Sequence, residues 1–186
     1  MHLISTIEKY IPYNEQEKKD KEMLLYCIHE FDDVLTRKNL IVHITSSAFI
    51  INETRDKTLM VHHNIYNSWS WTGGHADGEK NLLAVAIREA KEETGVKNIE
   101  PMTTAIFSLD VLPVIGHVKK GEYVSAHLHL SVAYLVKGDE NELIISKIDE
   151  NSDVKWIPLD KVKEYTNEPH MWKVYKKIIS KIEAIN

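Results

Sequence analysis

Cys27 is the only cysteine among 186 residues, so no intrachain disulfide can form. A cystine-stapled miniprotein is thereby excluded, and a single thiol suits a reducing compartment. The chain also has no run near the ~20 consecutive apolar residues that a membrane-spanning helix needs. Its first residues, MHLISTIEKYIPYNEQEKK, lack the basic start and apolar stretch of a secretory leader. Together these absences make a soluble, cytoplasmic protein the expectation. Basic charge is not in excess either, with 23 Lys and Arg against 28 Asp and Glu, a net of −5. That balance argues against a dedicated nucleic-acid binder and for no membrane partner. Internal repeats and low-complexity tracts are missing. What remains, 43% apolar and 27% charged residues, is the composition of a chain that buries a core.

The first 39 residues read as a helical extension. Asn14 followed by Glu17 has the spacing of a capping box. Met23, Leu24, Cys27, Ile28, Phe31 and Leu35 then recur at three- and four-residue steps, which predicts an amphipathic helix from about 15 to 35. Its apolar face would pack on the rest of the chain or on a second copy, so a homodimer is one expectation. Residues 40–186 change period. IVHITSSAFII and TLMVHHN are β-rich runs joined by the polar NETRDK, as in a hairpin. TTAIFSLDVL and YVSAHLHLSVAYLV are further strands, with the turn-prone PVIGHVKKGE between them. DVKWIPL is a short strand stopped by Pro158. A last helix from Glu168, capped by Asn167 with Pro169 in its first turn, carries Met171, Val174, Tyr175, Ile178 and Ile182 as its apolar stripe. The order predicts an α/β sandwich, a mixed sheet with helices on both faces, plus the N-terminal helical extension.

The central helix, from about Lys80 to Thr94, raises the functional question. Leu83, Ala86, Ile87 and Ala90 follow helical spacing, and Glu89, Glu92 and Glu93 fall on another face. Like charges so placed cost a few tenths of a kcal/mol per pair when solvated. They also stand at the C-terminal end, where the macrodipole disfavours anions, just before Gly95 stops the helix. Either Arg88 and Lys91 neutralise a solvated face, or the carboxylates hold a divalent cation through hard oxygen ligands. Spacing alone leaves both open.

The wider pattern is more specific. Gly74, then Arg88, Glu89, Ala90, Glu92, Glu93, Gly95 and Val96, resembles the Nudix box, G-x5-E-x7-R-E-U-x-E-E-x-G-U with U apolar. Every fixed position matches except one: the first glutamate falls on Lys80, with Glu79 just before it. Thr72 also replaces a common proline. The resemblance spans roughly residues 40 to 166 and implies the Nudix α/β/α sandwich. It implies a hydrolase that cleaves a diphosphate bond in a nucleoside diphosphate derivative or a related organic diphosphate. By the same resemblance Glu89, Glu92, Glu93 and the Gly74 carbonyl hold Mg²⁺, with Mn²⁺ as an alternative. Arg88 orients a carboxylate, and the base is Glu89 or, from a late loop, Glu150. A Nudix-fold binding or regulatory domain is the other reading, with Lys80 as its support. A related isopentenyl diphosphate isomerase lacks its cysteine-glycine-histidine stretch here.

His127 and His129 stand two apart on a strand and share a face, able to line a pocket or to pack. As a metal pair they lack a third ligand. His75 follows the glycines and is placed to approach a diphosphate. Trp71 and Trp69 flank the glycine loop, for stacking or for core packing. Lys119 and Lys120 lie on the 113–122 loop, as phosphate contacts or as solubilising charges.

Overall fold

The computed structural model describes residues 3–119, 121–147 and 151–185. The chain opens with α1 (Leu3–Lys9) and α2 (Glu15–Glu30), then enters β1 (Val42–Ile51), β2 (Lys57–His63), β3 (Ser68–Ser70) and β4 (Thr72–His75). The central helix is α3 (Leu82–Thr94). It is followed by β5 (Ile99–Pro101), β6 (Ser108–Val114), β7 (His117–Lys119), β8 (Glu122–Val124) and β9 (His127–Gly138). The chain closes with β10 (Asn151–Pro158), a 3₁₀ turn at Leu159–Lys161, α4 (Val162–Tyr165) and α5 (Pro169–Glu183).

The main sheet runs β10-β2-β1-β9-β5, with β3 on β2, β4 on β1 and β6 on β9. β1 pairs with β9 in parallel and with β2 and β4 antiparallel, which makes the sheet mixed, as predicted. β1 is buried along its whole length because both of its faces are covered. Ile44, Ala48 and Ile50 point to one face, in a core shared with Leu82, Ala86 and Ala90 of α3. Phe49 and Ile51 point to the other, against Val174, Tyr175, Ile178 and Ile182 of α5. Every predicted stripe residue of α5 is buried. Burial of each large apolar side chain there contributes roughly 1.5–3 kcal/mol.

The N-terminal segment joins the α3-side core through Ile7, Leu24, Cys27 and Val34. α2 starts as expected, with Asn14 accepting the Glu17 amide at 2.9 Å. It ends at Glu30, short of the predicted residue 35, because Phe31 turns extended and Val34 gives its carbonyl to the Ile44 amide. Met23, placed on the apolar face by periodicity, is exposed, whereas Glu17 is buried. The Glu17 carboxylate accepts from the Tyr10 hydroxyl at 2.6 Å and the Tyr13 amide at 2.7 Å. Lys177 of α5 lies 3.1 Å from Glu17 and 2.6 Å from Asp110 of β6, and Lys181 reaches Glu17 at 3.4 Å. These ion pairs tie the extension to both the sheet and the last helix.

Three local expectations are corrected. The strand read from 103 begins only at Ser108, and the turn-prone 113–122 stretch is partly strand, as the β7–β8 hairpin closed by Gly121 at φ 86. Asn167 does not cap α5; its side-chain amide donates to the Asn67 carbonyl, and Glu168 takes the cap position without a side-chain capping bond.

Candidate active site

α3 is launched by Asn81, whose side chain accepts the Ala84 amide, so the helix begins at Leu82 rather than at Lys80. Lys80 is exposed and lies ahead of the cap. Glu79 accepts the Asn81 amide at 2.7 Å, which gives the helix entry a carboxylate partner one residue before the expected position. The Ser46 hydroxyl donates to the Leu82 carbonyl at 2.6 Å and fixes the same end to β1. At the other end Gly95 adopts φ 74 and returns its amide to the Lys91 carbonyl, the left-handed stop that a side chain would strain.

The glutamates do not share one wet face. Glu92 is half exposed, Glu89 keeps only 16% of its side-chain surface, and Glu93 is buried at 7%. Glu93 follows Leu82, Ala86 and Ala90 on the inward side of α3, because residues 82, 86, 90 and 93 fall within one quarter of the helical wheel. A solvated charge face is therefore ruled out for Glu93. Its carboxylate sits one turn after Glu89, where bulk water screens their repulsion poorly. Arg88 donates to Glu89 at 2.9 Å and stands 3.9 Å from Glu92, and Lys147 is 3.9 Å from Glu92.

Gly74 meets this helix directly. A Cβ placed on Gly74 would lie 2.6 Å from Glu89 Cδ and 2.9 Å from its Oε1, so only glycine lets the carboxylate rest on the β4 backbone. Gly73 faces the other way, where a Cβ would be 2.5 Å from Ser47 Oγ.

His75, the next residue, points to the side of β4 away from α3, because side chains alternate along a strand. There it joins three other histidines. His43 of β1 is in register with His129 of β9, and their rings are 5.0 Å apart. His75 is 5.0 Å from His43 and 5.1 Å from His129. His127 lies 4.8 Å from His43, and its Nε2 is 3.2 Å from His129 Nε2. Burial, reinforced by the neighbouring histidines, pushes His75 down to about 4 and His129 to about 2, and lowers His43. His43 was not expected among the functional residues: it sits in an otherwise apolar run, and only the β1–β9 register reveals its neighbours.

Trp71 packs edge-on against Tyr175 at 5.6 Å, and its amide donates to the Tyr175 hydroxyl. Trp69 packs edge-on against Tyr165 at 6.0 Å. Glu150 and Lys120 lie outside the described residues, and Lys119 is in β7.

Fold and site together define an α/β sandwich whose glycine strand and acidic helix end converge on one spot. The model of the NUDIX domain matches residues 42–178, and the chain belongs to that family. It is 30% identical over 127 residues to an RNA pyrophosphohydrolase of Pelagibacter ubique (strain HTCC1062), covering 66% of this chain and 78% of that one. It is 30% identical over 120 residues to an RNA pyrophosphohydrolase of Brucella anthropi, covering 60% and 68%. Among solved structures, the Nudix hydrolase RenU of M. smegmatis superposes with a TM-score of 0.58 at 13% identity, over 77% of this chain and 88% of that chain. The Ap4A hydrolase of C. elegans does so with 0.53 at 15%, over 76% and 98%. At such identities the structural likeness establishes the fold. No described helix is long and apolar enough to cross a membrane.

Proposed function

We propose that this chain is a metal-dependent hydrolase that cleaves a diphosphate bond by water attack at phosphorus. The observation that carries the proposal is the seating of Glu89 on Gly74, beside a buried Glu93 on the same helix end. Hard carboxylate oxygens, with the Gly74 carbonyl next to them, are the donor set suited to Mg²⁺ or Mn²⁺. The glycine cradle fits that use, since any side chain at 74 would push Glu89 out of place. Glu89, Glu92, Glu93 and the Gly74 carbonyl would hold the metal. When bound, it neutralises diphosphate charge and lowers the pKa of a coordinated water. Arg88 orients Glu89 through its 2.9 Å bond, and Glu89 takes the attacking water's proton. Glu150 is the alternative base. Charge that builds on the phosphoryl oxygens would be offset by the cation held at this acidic helix end, rather than by the helix end itself.

For substrate class, a nucleoside diphosphate derivative is the general expectation. The two relatives that bear the name RNA pyrophosphohydrolase add RNA carrying a 5′ polyphosphate end, despite the acidic balance of the chain. The local surface, rather than net charge, would then bind the RNA. The test is a panel of nucleoside diphosphate derivatives, dinucleoside polyphosphates and 5′-triphosphorylated RNA, assayed for phosphate or diphosphate release with Mg²⁺, with Mn²⁺ and with EDTA. Metal-dependent release from at least one class is expected. Tight binding of panel members without release would favour a binding domain instead.

A further inference from the structure

We propose that His43, His75 and His129, with His127 at their edge, form a second metal centre for a divalent ion of the Zn²⁺ class. It would lie on the sheet face opposite α3. One ring nitrogen from each of His43, His75 and His129 lies within 4.8 Å of the others, the gathering of potential ligands found among the described residues. Three strands deliver them: β1 and β9 by their parallel register, and β4 by its pairing with β1.

The tautomers point the same way. His43 Nδ1 faces the Asn39 carbonyl at 3.0 Å, and His127 Nδ1 faces the Ser125 carbonyl at 2.8 Å. A carbonyl only accepts, so each Nδ1 carries the proton and each Nε2 of the neutral ring presents a lone pair to the cluster. This is how metal-binding histidines are commonly oriented, with the distal nitrogen fixed by a backbone carbonyl. His43 is 5% exposed, and its Nε2 is buried with no hydrogen-bond partner. A buried acceptor left without a partner is destabilising. A cation in the cluster removes that cost.

Size and donor type select the ion. Tetrahedral Zn²⁺ with bonds of about 2.1 Å needs ligand nitrogens about 3.4 Å apart. His127 Nε2 and His129 Nε2, 3.2 Å apart, share a hydrogen bond, so the proton between them is released when an ion binds. The nitrogens of His43, His75 and His129, within 4.8 Å of one another, close to the tetrahedral spacing by side-chain shifts of about 1 Å, small for rings that are partly exposed at His75 and His129. Neutral imidazoles suit Zn²⁺, Co²⁺ and Ni²⁺ and discriminate against Mg²⁺, which prefers oxygen. Three histidines with a further position beside them resemble an open rather than a closed zinc site. The inference does not rest on the carboxylate reading, because the two donor sets lie on opposite sides of β4.

The experiment uses the full chain, stripped with chelator and titrated with Co²⁺ while visible absorption is recorded, then with Zn²⁺ in competition. One Co²⁺ per chain with d–d bands of a nitrogen-ligated site, displaced by Zn²⁺ but not by excess Mg²⁺, is expected. His75→Asn and His129→Asn are expected to weaken Co²⁺ binding at least tenfold, and Glu92→Gln to leave the bands unchanged. Thermal melting of each variant verifies folding, and His127→Asn, on a partly exposed ring, serves should His129→Asn unfold. Absence of the bands in the parent chain overturns the proposal. So do bands that survive the histidine substitutions or vanish with Glu92→Gln.

Discussion

The Glu89 carboxyl rests on the backbone of Gly74, so closely that a methyl group at 74 would stand 2.6 Å from Glu89 Cδ. That contact joins the strand to the acidic helix, and on the proposed reading it marks where the diphosphate and its metal meet. The two neighbouring glycines therefore separate function from stability. Gly74→Ala is expected to lower metal-dependent turnover about 100-fold, the scale of a 1 Å misplacement, while the melting temperature changes little. Gly73→Ala presses on Ser47 and on the Ser46 carbonyl, and is expected to cost about 1–3 kcal/mol of stability in denaturant titration.

Lys80 breaks the box pattern, yet it is exposed and stands ahead of the helix cap, where its charge touches neither Glu89 nor Glu93 in any described hydrogen bond or ion pair. Lys80→Glu is expected to change stability by less than ~0.5 kcal/mol and turnover by less than about threefold. Glu79→Ala removes the bond to the Asn81 amide and is expected to cost about 0.5–1 kcal/mol in the same titration. A large gain of activity in Lys80→Glu would show that the missing glutamate matters more than the cap.

Lys177 holds two buried carboxylates, Glu17 at 3.1 Å and Asp110 at 2.6 Å. Lys177→Met leaves both without that partner and is expected to destabilise the chain by about 3 kcal/mol, read as a lower denaturant midpoint. An unchanged midpoint would mean that these buried ion pairs contribute nothing net to the fold.

The same network sets an acid dependence. Burial works to raise the Glu17 carboxyl, but the bonds from Tyr10 and the Tyr13 amide, with the lysine charges, outweigh it and hold it below its ordinary value of 4.5. A group depressed in the folded state binds more protons when unfolded, so its stability is present above pH 4.5 and lost as pH falls further. Asp110, which burial raises, acts with the opposite sign. Glu17→Gln is therefore expected to flatten the loss of stability below pH 4.5 relative to the parent, measured by urea midpoints at pH 5 and pH 3. A parallel loss in both chains would contradict this assignment.

The candidate site was proposed from the sequence through the box resemblance, since spacing alone left two readings open. Glu89, Glu92, Glu93 and Gly74 stand at fixed separations on one helix and one strand, and the α5 stripe follows the helical period. The burial of Glu93 was not legible, because periodicity places apolar residues inside and a carboxylate on the inward face breaks that rule. His43 was hidden for a different reason: its partners come from strands 32 and 86 residues away, joined only by sheet register. The early end of α2 and the idle cap at Asn167 likewise depend on partners distant in sequence, Ile44 and Asn67.

The most direct test of the catalytic reading is the rate of diphosphate release by Glu92→Gln with saturating Mg²⁺. Glu92 is half exposed, so its replacement spares the fold. Loss of a metal ligand removes several kcal/mol of transition-state stabilisation, and a fall of about 100-fold or more is expected. Turnover equal to the parent chain, at the same metal dependence, would contradict the assignment of the acidic helix as the catalytic metal clamp.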